Sequence, residues 1–243
     1  MISIAVSRGK ILPVSAINSS EARSTTGVIS RPNSLAEDVY DAIFAQLMAL
    51  NIAPGSRITV DNLVKEFNVS HTPIREALGR LEGEGLVVKT HLVGYHAAPQ
   101  ITRRRFDELY ELRLLLEPQS AAKAATLMDD ARLAELRDAA GVMARRDDND
   151  ERSRYSNFAR RDAVFHDKIM RCAQNELIRQ TLAFQHTHFH IFRLMFHSRV
   201  TEEALDEHAG IIAAFAAADS TGAEKAMRTH IERSRDRLLP AFE

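Results

Sequence analysis

Four polar side chains stand at positions where helical periodicity predicts that side chains point into a protein core. Asp162 fills a gap in an apolar stripe that contains Phe165, and His166 follows Phe165 directly. In an α-helix, Asp162 and His166 emerge four residues apart on one face. His208 and His230 take the places of apolar residues in two later helical stripes. Three predicted helices therefore direct one carboxylate and three imidazoles inward.

This set of side chains is suited to binding a divalent metal ion. A buried carboxylate costs free energy unless a cation or a hydrogen-bond donor meets it. Carboxylate oxygen and imidazole nitrogen suit zinc first, with nickel, manganese or iron as alternatives. We therefore expect Asp162, His166, His208 and His230 to bind one such ion. Two other interpretations stay open for Asp162 and His166, an exposed pair on the helix surface and an internal hydrogen bond, and a single core histidine is more often satisfied by its neighbours.

Two further polar features adjoin these helices. His186 and His190 are also four residues apart, but they flank an apolar stripe without replacing a member of it, so we expect them at an edge or interface, outside the metal site. Arg113 falls within the stripe of an earlier helix, and a buried guanidinium needs an anion. Two partners are open for Arg113: Glu117, four residues on in the same helix, and an acidic effector molecule.

Length and composition exclude several classes of protein. The 243 residues with 45% hydrophobic content can bury sizeable cores and suit two modest domains. The longest apolar runs are shorter than the roughly 20 residues that a membrane-spanning helix needs. The single cysteine, Cys172, excludes an internal disulfide and suits a reducing compartment, and the N-terminus lacks the pattern of a secretory signal. We expect a cytoplasmic protein with no membrane partner.

The predicted elements fall into a mainly α-helical chain with three parts. Residues 1–32 show no sustained period and are predicted to be a flexible arm. For residues 33–100, the sequence pattern predicts a helix capped by Ser34, a short helix after Thr59 and a tight connection at Asn68. It then predicts a helix beginning near Ser70 and a hairpin around Gly94. This order indicates a winged helix-turn-helix DNA-binding domain.

The third part, residues 101–243, shows uninterrupted helical periodicity. It predicts an all-helical bundle of about six helices for effector binding and dimerisation. The predicted segments lie near residues 103–128, 130–146, 151–173, 175–197, 201–219 and 221–239.

The helix that begins near Ser70 carries the residues that we expect to contact DNA. In a helix-turn-helix, the second helix enters the major groove and its N-terminal side chains reach base edges. Arg75 can donate two parallel hydrogen bonds to a guanine edge, and Ser70 and Thr72 can reach phosphate or base. The face opposite the apolar stripe displays Ser70, His71, Thr72, Arg75 and Arg80. The competing interpretation is an ordinary solvated face of an amphipathic helix.

The charge balance limits how this domain binds DNA. Lys and Arg number 32 against 33 Asp and Glu, a formal net charge of −1. Residues 31–101 carry six basic and eight acidic side chains. There is no broad basic surface to hold nucleic acid, so we expect double-stranded DNA to be bound through a local patch, with a strong dependence on salt and on dimerisation.

The stretch NVSHTPIREALGRLEGEGLV resembles the recognition segment of the GntR family of bacterial transcription regulators. ELYELRLLLEPQSAAKAA is similar to the opening helix of the FadR-type ligand-binding (FCD) domain, so the resemblance covers residues 34 to about 239. It implies a homodimer, a palindromic operator, and control by a small molecule, often a carboxylate metabolite. Asp162, His166, His208 and His230 match the ligand pattern of metal-binding FadR-type domains. Two departures from the family are His71 in place of the usual Arg and a hairpin tip with few basic residues.

These observations predict a transcription regulator rather than an enzyme. The alternative is a metal-dependent enzyme of the helical-bundle hydrolase or oxygenase type, because a metal with open coordination positions can activate water. The sequence offers no clear general base beside the proposed site, no nucleophile with a partner and no glycine-rich phosphate loop. We therefore expect no enzymatic activity.

Overall fold

A computed structural model of the protein describes residues 34–144, 151–194 and 198–243. The arm predicted at residues 1–32 lies outside the described residues. The fold class predicted from the sequence is confirmed: the chain is mainly α-helical, with a winged helix-turn-helix before a helical bundle. Residues 33–243 form one compact unit, so a domain boundary near residue 100 stays a prediction. No helix within the described residues is long and apolar enough to cross a membrane.

The winged helix-turn-helix forms from three helices and a small antiparallel sheet. Ser34 accepts a hydrogen bond from the backbone N–H of Glu37 at 3.2 Å and so caps the first helix. The order of the strands in the sheet is β1 (Arg57–Ile58), β3 (Gly94–Ala97), β2 (Val87–Thr90), and the pairing of β1 was not predicted from the sequence. The elements are α1 (Leu35–Met48), β1 (Arg57–Ile58), α2 (Val60–Phe67), α3 (His71–Gly83), β2 (Val87–Thr90) and β3 (Gly94–Ala97).

Helix α3 is held against α1 by the apolar stripes that the sequence shows. Ile43 and Leu47 of α1 and Ile74 and Leu78 of α3 are completely buried. Asn68 ends α2 in the left-handed conformation at φ 52°, which Asn tolerates better than most residues. The tight turn and the buried stripe together leave the opposite face of α3 exposed.

The helical bundle contains seven α-helices among the described residues rather than the predicted six. The predicted segment 175–197 is divided, because His186 adopts the left-handed conformation at φ 45° between two shorter helices. No glycine or proline marks this break. The helices are α4 (Arg103–Thr126), α5 (Asp130–Ala144), α6 (Glu151–Cys172), α7 (Glu176–Phe184), α8 (Thr187–Phe192), α9 (Ser198–Ala216) and α10 (Ser220–Leu238).

Helix α1 packs against the bundle through α6 and α8. The ring of Phe44 meets the edge of the Phe189 ring at a centroid distance of 5.1 Å. Arg160 of α6 donates from Nη1 to Oδ1 of Asp41 at 2.6 Å. These contacts connect the winged helix-turn-helix directly to α8 and to α6, which carries Asp162 and His166.

Candidate metal centre and DNA-reading helix

The four residues that periodicity directed inward lie together in the bundle core. Asp162 and His166 are on α6, His208 is on α9 and His230 is on α10. Each is at most 4% exposed. One ring nitrogen from each histidine lies within 4.8 Å of those of the other two. A surface pair of Asp162 and His166 is therefore excluded.

The distances around Asp162 also exclude a simple internal hydrogen bond to His166. Asp162 Oδ1 lies 3.9 Å from His166 Nε2, which is too long for a hydrogen bond. The same oxygen lies 3.2 Å from His208 Nε2. The His208 and His230 rings are 4.7 Å apart between centroids. The carboxylate thus faces several imidazoles at once instead of pairing with one.

His188 is a further member of the cluster, and it was not predicted from the sequence. His188 Nε2 lies 3.6 Å from Asp162 Oδ2, and its ring centroid is 4.7 Å from that of His166. Asp162, His166 and His188 form a second set of potential ligands. The chain leaves the helical conformation at His186, so the residues of α8 face different directions from those expected of one continuous helix. The apolar stripe predicted for residues 175–197 therefore could not show that His188 points into the cluster.

The two histidines that the sequence set aside, His186 and His190, lie outside the cluster. The His186 ring stacks on that of Phe189 at 6.1 Å. His190 lies beside Gly85, where an added Cβ would meet its Nε2 at 3.2 Å. His190 is therefore at the contact between the bundle and the DNA-reading part, as an interface position requires.

Two buried carboxylates fix the ring orientation of two cluster histidines. Glu117 Oε2 lies 2.7 Å from His166 Nδ1, and Glu117 Oε1 accepts from Arg113 Nε at 2.7 Å. Glu207 Oε2 lies 2.9 Å from His230 Nδ1. A carboxylate that accepts from one ring nitrogen leaves the other nitrogen unprotonated and available to a metal. Carboxylates that support histidines in this way are common around the ligands of metal sites.

Several atoms of the cluster are buried without a hydrogen-bond partner among the described residues. They are Asp162 Oδ1, His166 Nε2, His188 Nε2 and both ring nitrogens of His208. Buried polar groups in proteins are nearly always satisfied, so this group of unpaired polar atoms needs an explanation. A neutral imidazole has a lone pair on only one ring nitrogen, and a divalent cation that accepts one electron pair from each of these residues accounts for the group, so the donor set fits a metal.

Burial also sets the charge of these groups. It raises the pKa of Asp162, an effect that the nearby charges of His166 and Arg113 only partly offset. It lowers the pKa of His208 well below its usual range and that of His230 to about 4. His208 and His230 are thus neutral, as metal ligands must be, and burial of the Asp162 carboxylate costs free energy until a cation meets it.

Arg113 is 1% exposed and is paired with Glu117, so the first of its two possible partners is observed. Burial alone would raise the pKa of Glu117, but Arg113 and His166 together hold it well below its usual range. Arg113 Nη2 remains buried without a partner among the described residues. The pair with Glu117 therefore uses only part of the guanidinium.

The five residues expected to contact DNA all lie on or beside α3, and all are exposed. Two of them have protein partners: His71 Nε2 lies 2.9 Å from Asp61 Oδ1, and Arg80 donates from Nη1 to Glu37 Oε2 at 2.7 Å. The Arg80 guanidinium also stacks over the Tyr40 ring at 3.9 Å. Arg80 is therefore held toward α1.

Comparison with known proteins gives two family matches along the chain. Residues 35–96 match the model for bacterial regulatory proteins of the gntR family. Residues 108–233, more than half of the chain, match the FCD domain. The two matches coincide with the winged helix-turn-helix and the helical bundle.

Curated relatives are transcription regulators by name. The Nta operon transcriptional regulator of Aminobacter aminovorans is 33% identical over 135 residues, which are 56% of this chain and 62% of that protein. The HTH-type transcriptional regulator LutR of Bacillus subtilis is 28% identical over 216 residues, covering 79% of this chain and 95% of LutR. This chain therefore matches less than two thirds of the length of the Nta operon transcriptional regulator.

Solved structures share the fold. E. coli McbR/YncC superposes with a TM-score of 0.63 at 20% identity and covers 86% of this chain and 99% of its own. A GntR transcriptional regulator from Rhodococcus sp. RHA1 gives a TM-score of 0.64, also at 20% identity, with the same coverage. At this identity the likeness concerns the fold alone.

Proposed function

Since the chain belongs to the GntR family of bacterial regulatory proteins and carries a C-terminal FCD domain, we propose that a divalent metal and a small carboxylate bound in that domain control its affinity for operator DNA. A DNA-binding transcription regulator with an effector domain is the function that this membership gives. The alternative of a metal-dependent enzyme is not favoured, because the named relatives are regulators.

The proposed operator contact is the exposed face of α3. Arg75 donates to a guanine edge in the major groove, and Ser70, His71 and Thr72 contact phosphate or base. Arg80 supports this face from its position against Tyr40. Because residues 31–101 carry more acidic than basic side chains, a single copy binds weakly. A homodimer that places two α3 helices on two half-sites supplies the missing affinity.

The proposed metal ligands are Asp162, His166, His208 and His230, and the structure adds His188 as a candidate. The observation that carries this proposal is the set of buried polar atoms without a hydrogen-bond partner among the described residues on Asp162, His166, His188 and His208. Zinc suits the donor set first, with nickel, manganese or iron as alternatives. When bound, the metal would neutralise Asp162 and offer open coordination positions to carboxylate oxygens.

Arg113 is proposed to contact the carboxylate effector through Nη2. This atom has no partner among the described residues, although the side chain is completely buried. Burial is the main cause of the lowered pKa of His188 and His208, and the positive charge of Arg113 lowers both further. An anion between the metal and Arg113 would satisfy both.

The experiment measures how metal loading changes DNA affinity. Duplexes selected from a random pool by the full-length protein are titrated by fluorescence anisotropy with metal-stripped and zinc-loaded protein. We expect at least about a fivefold difference in Kd, the lower end of ordinary allosteric coupling. His208→Ala should still bind the duplex but lose the response to zinc. An identical Kd in both states would contradict metal control, and failure to select any duplex would contradict the operator contact.

A further inference from the structure

A cavity of about 340 Å³ begins at the candidate metal ligands and extends to the DNA-reading elements. His166 and His188 line it on the metal side. Arg160 and Glu84 line it on the other side, and Glu84 is the C-cap residue that directly follows α3. A molecule that fills this cavity therefore contacts both the candidate metal centre and the end of the helix proposed to read DNA.

The charged side chains of the cavity wall are already paired. Arg179 donates from Nη1 to Asp167 Oδ1 at 2.7 Å, and the Tyr40 hydroxyl donates to Glu84 Oε2 at 2.7 Å. Paired charges gain little from an additional polar ligand group, so the middle of the cavity favours apolar atoms. The apolar part of its wall consists of Ala163, Val164, Met170, Leu182, Ala183 and Phe189.

Unpaired polar atoms lie at the two ends of the cavity. On the metal side, Thr187 Oγ1 and His188 Nε2 are buried without a partner among the described residues. On the far side, Arg160 Nε is also buried without a hydrogen-bond partner among the described residues, although Arg160 Nη1 donates to Asp41 Oδ1. A ligand with an acidic head at the metal side accepts a hydrogen bond from Thr187 Oγ1, and its body reaches the Arg160 side chain, although a hydrocarbon body does not pair with Arg160 Nε.

The α6 backbone gives the length of that body. Arg160 and His166 are six residues apart on this helix, an axial distance of about 9 Å at about 1.5 Å per residue. A zigzag hydrocarbon chain advances about 1.25 Å per carbon when its bonds are about 1.5 Å long, so about seven carbons span the distance.

We propose that the effector is a carboxylate with an apolar body of about six to eight carbons, or an aromatic group of that length. This inference rests on the proposed metal-centred effector site and names its ligand class. The head lies at the histidine cluster and the tail lies against Arg160 and Phe189. Arg160 binds Asp41, and Phe189 packs on Phe44, both in α1. The tail is thus the part of the effector that reaches the DNA-binding domain.

The test is calorimetric titration of zinc-loaded, full-length protein with acetate, succinate, octanoate and 4-phenylbutyrate. Octanoate and 4-phenylbutyrate should bind at least about tenfold tighter than acetate and succinate, because each buried methylene strengthens binding severalfold. Equal or tighter binding of acetate or succinate overturns the proposal, and so does binding of none of the four. Zinc content, measured on the same preparation, decides the proposed metal site independently of either result.

A matched pair of variants locates the ligand body. Val164 is 47% exposed and lines the cavity, whereas Leu177 is 76% exposed and is not among the described lining residues. Val164→Asn should weaken octanoate binding by about tenfold, since it places an amide against the apolar body. Leu177→Asn should leave octanoate binding unchanged, and neither variant should change zinc uptake. Equal octanoate affinity in the two variants overturns the placement.

Discussion

His166 Nδ1 lies 2.7 Å from Glu117 Oε2, and this contact leaves Nε2 of the same ring directed toward Asp162. Glu117 is itself held by Arg113, so one buried chain of contacts runs from a guanidinium through a carboxylate to a candidate ligand nitrogen. Glu207 supports His230 in the same way. The two carboxylates thus hold the rings of two candidate ligands, His166 and His230, in one orientation.

Glu117→Gln is expected to lower zinc affinity by about 10- to 100-fold, because loss of the carboxylate charge makes the His166 ring a weaker ligand. The control is Glu111→Gln, an exposed glutamate on the same helix. Zinc affinity is measured by competition with a chromophoric chelator, after circular dichroism has shown that both variants are folded. Equal zinc affinities for the two variants would reject this role for Glu117.

His188→Ala is expected to lower zinc affinity by more than about tenfold, because a nitrogen that contributes to the metal site is lost. His186→Ala is the matched control, since His186 lies two residues away on the other side of Thr187 and outside the cluster. The same competition assay applies. If both variants bind zinc as the wild type does, His188 is not a ligand.

Arg75→Ala is expected to weaken binding to a selected duplex by about 1 to 3 kcal/mol and to relax base preference at one position. Arg104→Ala is the control, because the Arg104 side chain is 90% exposed and lies on α4. Anisotropy titrations at fixed salt concentration measure both. Full affinity and unchanged base preference in Arg75→Ala would remove α3 from direct base recognition.

The metal-free protein is expected to lose stability as pH falls below about 6.5, the usual pKa of histidine. Burial lowers the pKa of His188 and His208 well below that value and that of His230 to about 4, so these rings stay neutral when folded but bind protons when unfolded. The free energy of unfolding then falls by up to about 1.4 kcal/mol per pH unit for each histidine.

Asp162 changes the free energy of unfolding in the opposite direction. Because burial raises its pKa, the folded state binds a proton more readily than the unfolded state, and this group adds stability as the pH falls. Its window runs from the raised pKa of the folded state down to the usual carboxylate pKa. Urea unfolding with chelator at pH 7.5 and 5.5 is the measurement, and His208→Gln should reduce the loss. Equal unfolding free energies at the two pH values would show that the histidines do not titrate in this way.

The DNA-reading part was predictable because its determinants are local. Ser34 caps α1, and the apolar stripes of α1 and α3 face each other as their spacing requires. The β1 strand was missed because its two residues pair with a distant strand. Arg80 was expected to face DNA, but its contacts with Glu37 and Tyr40 depend on the packing of α3 against α1, which the sequence pattern does not contain.

Inward placement of the candidate ligands was predictable wherever one straight helix carries the pattern. Asp162, His208 and His230 interrupt apolar stripes, and each is buried. His188 was missed because the chain changes direction at His186 without glycine or proline. The outer carboxylates Glu117 and Glu207 meet their histidines only after α4, α6, α9 and α10 have packed, so their role follows from tertiary structure alone.

The central claim is that Asp162 and the buried histidines hold a divalent metal ion, and zinc titration of the metal-stripped, full-length protein tests it most directly. Wild type should take up a single ion per chain with a rise in melting temperature, because a metal that binds only the folded state stabilises it. Elemental analysis of protein purified without chelator should find the same stoichiometry, and His208→Ala should lose most of it while remaining folded. A wild type that binds no divalent metal in either measurement would contradict the claim.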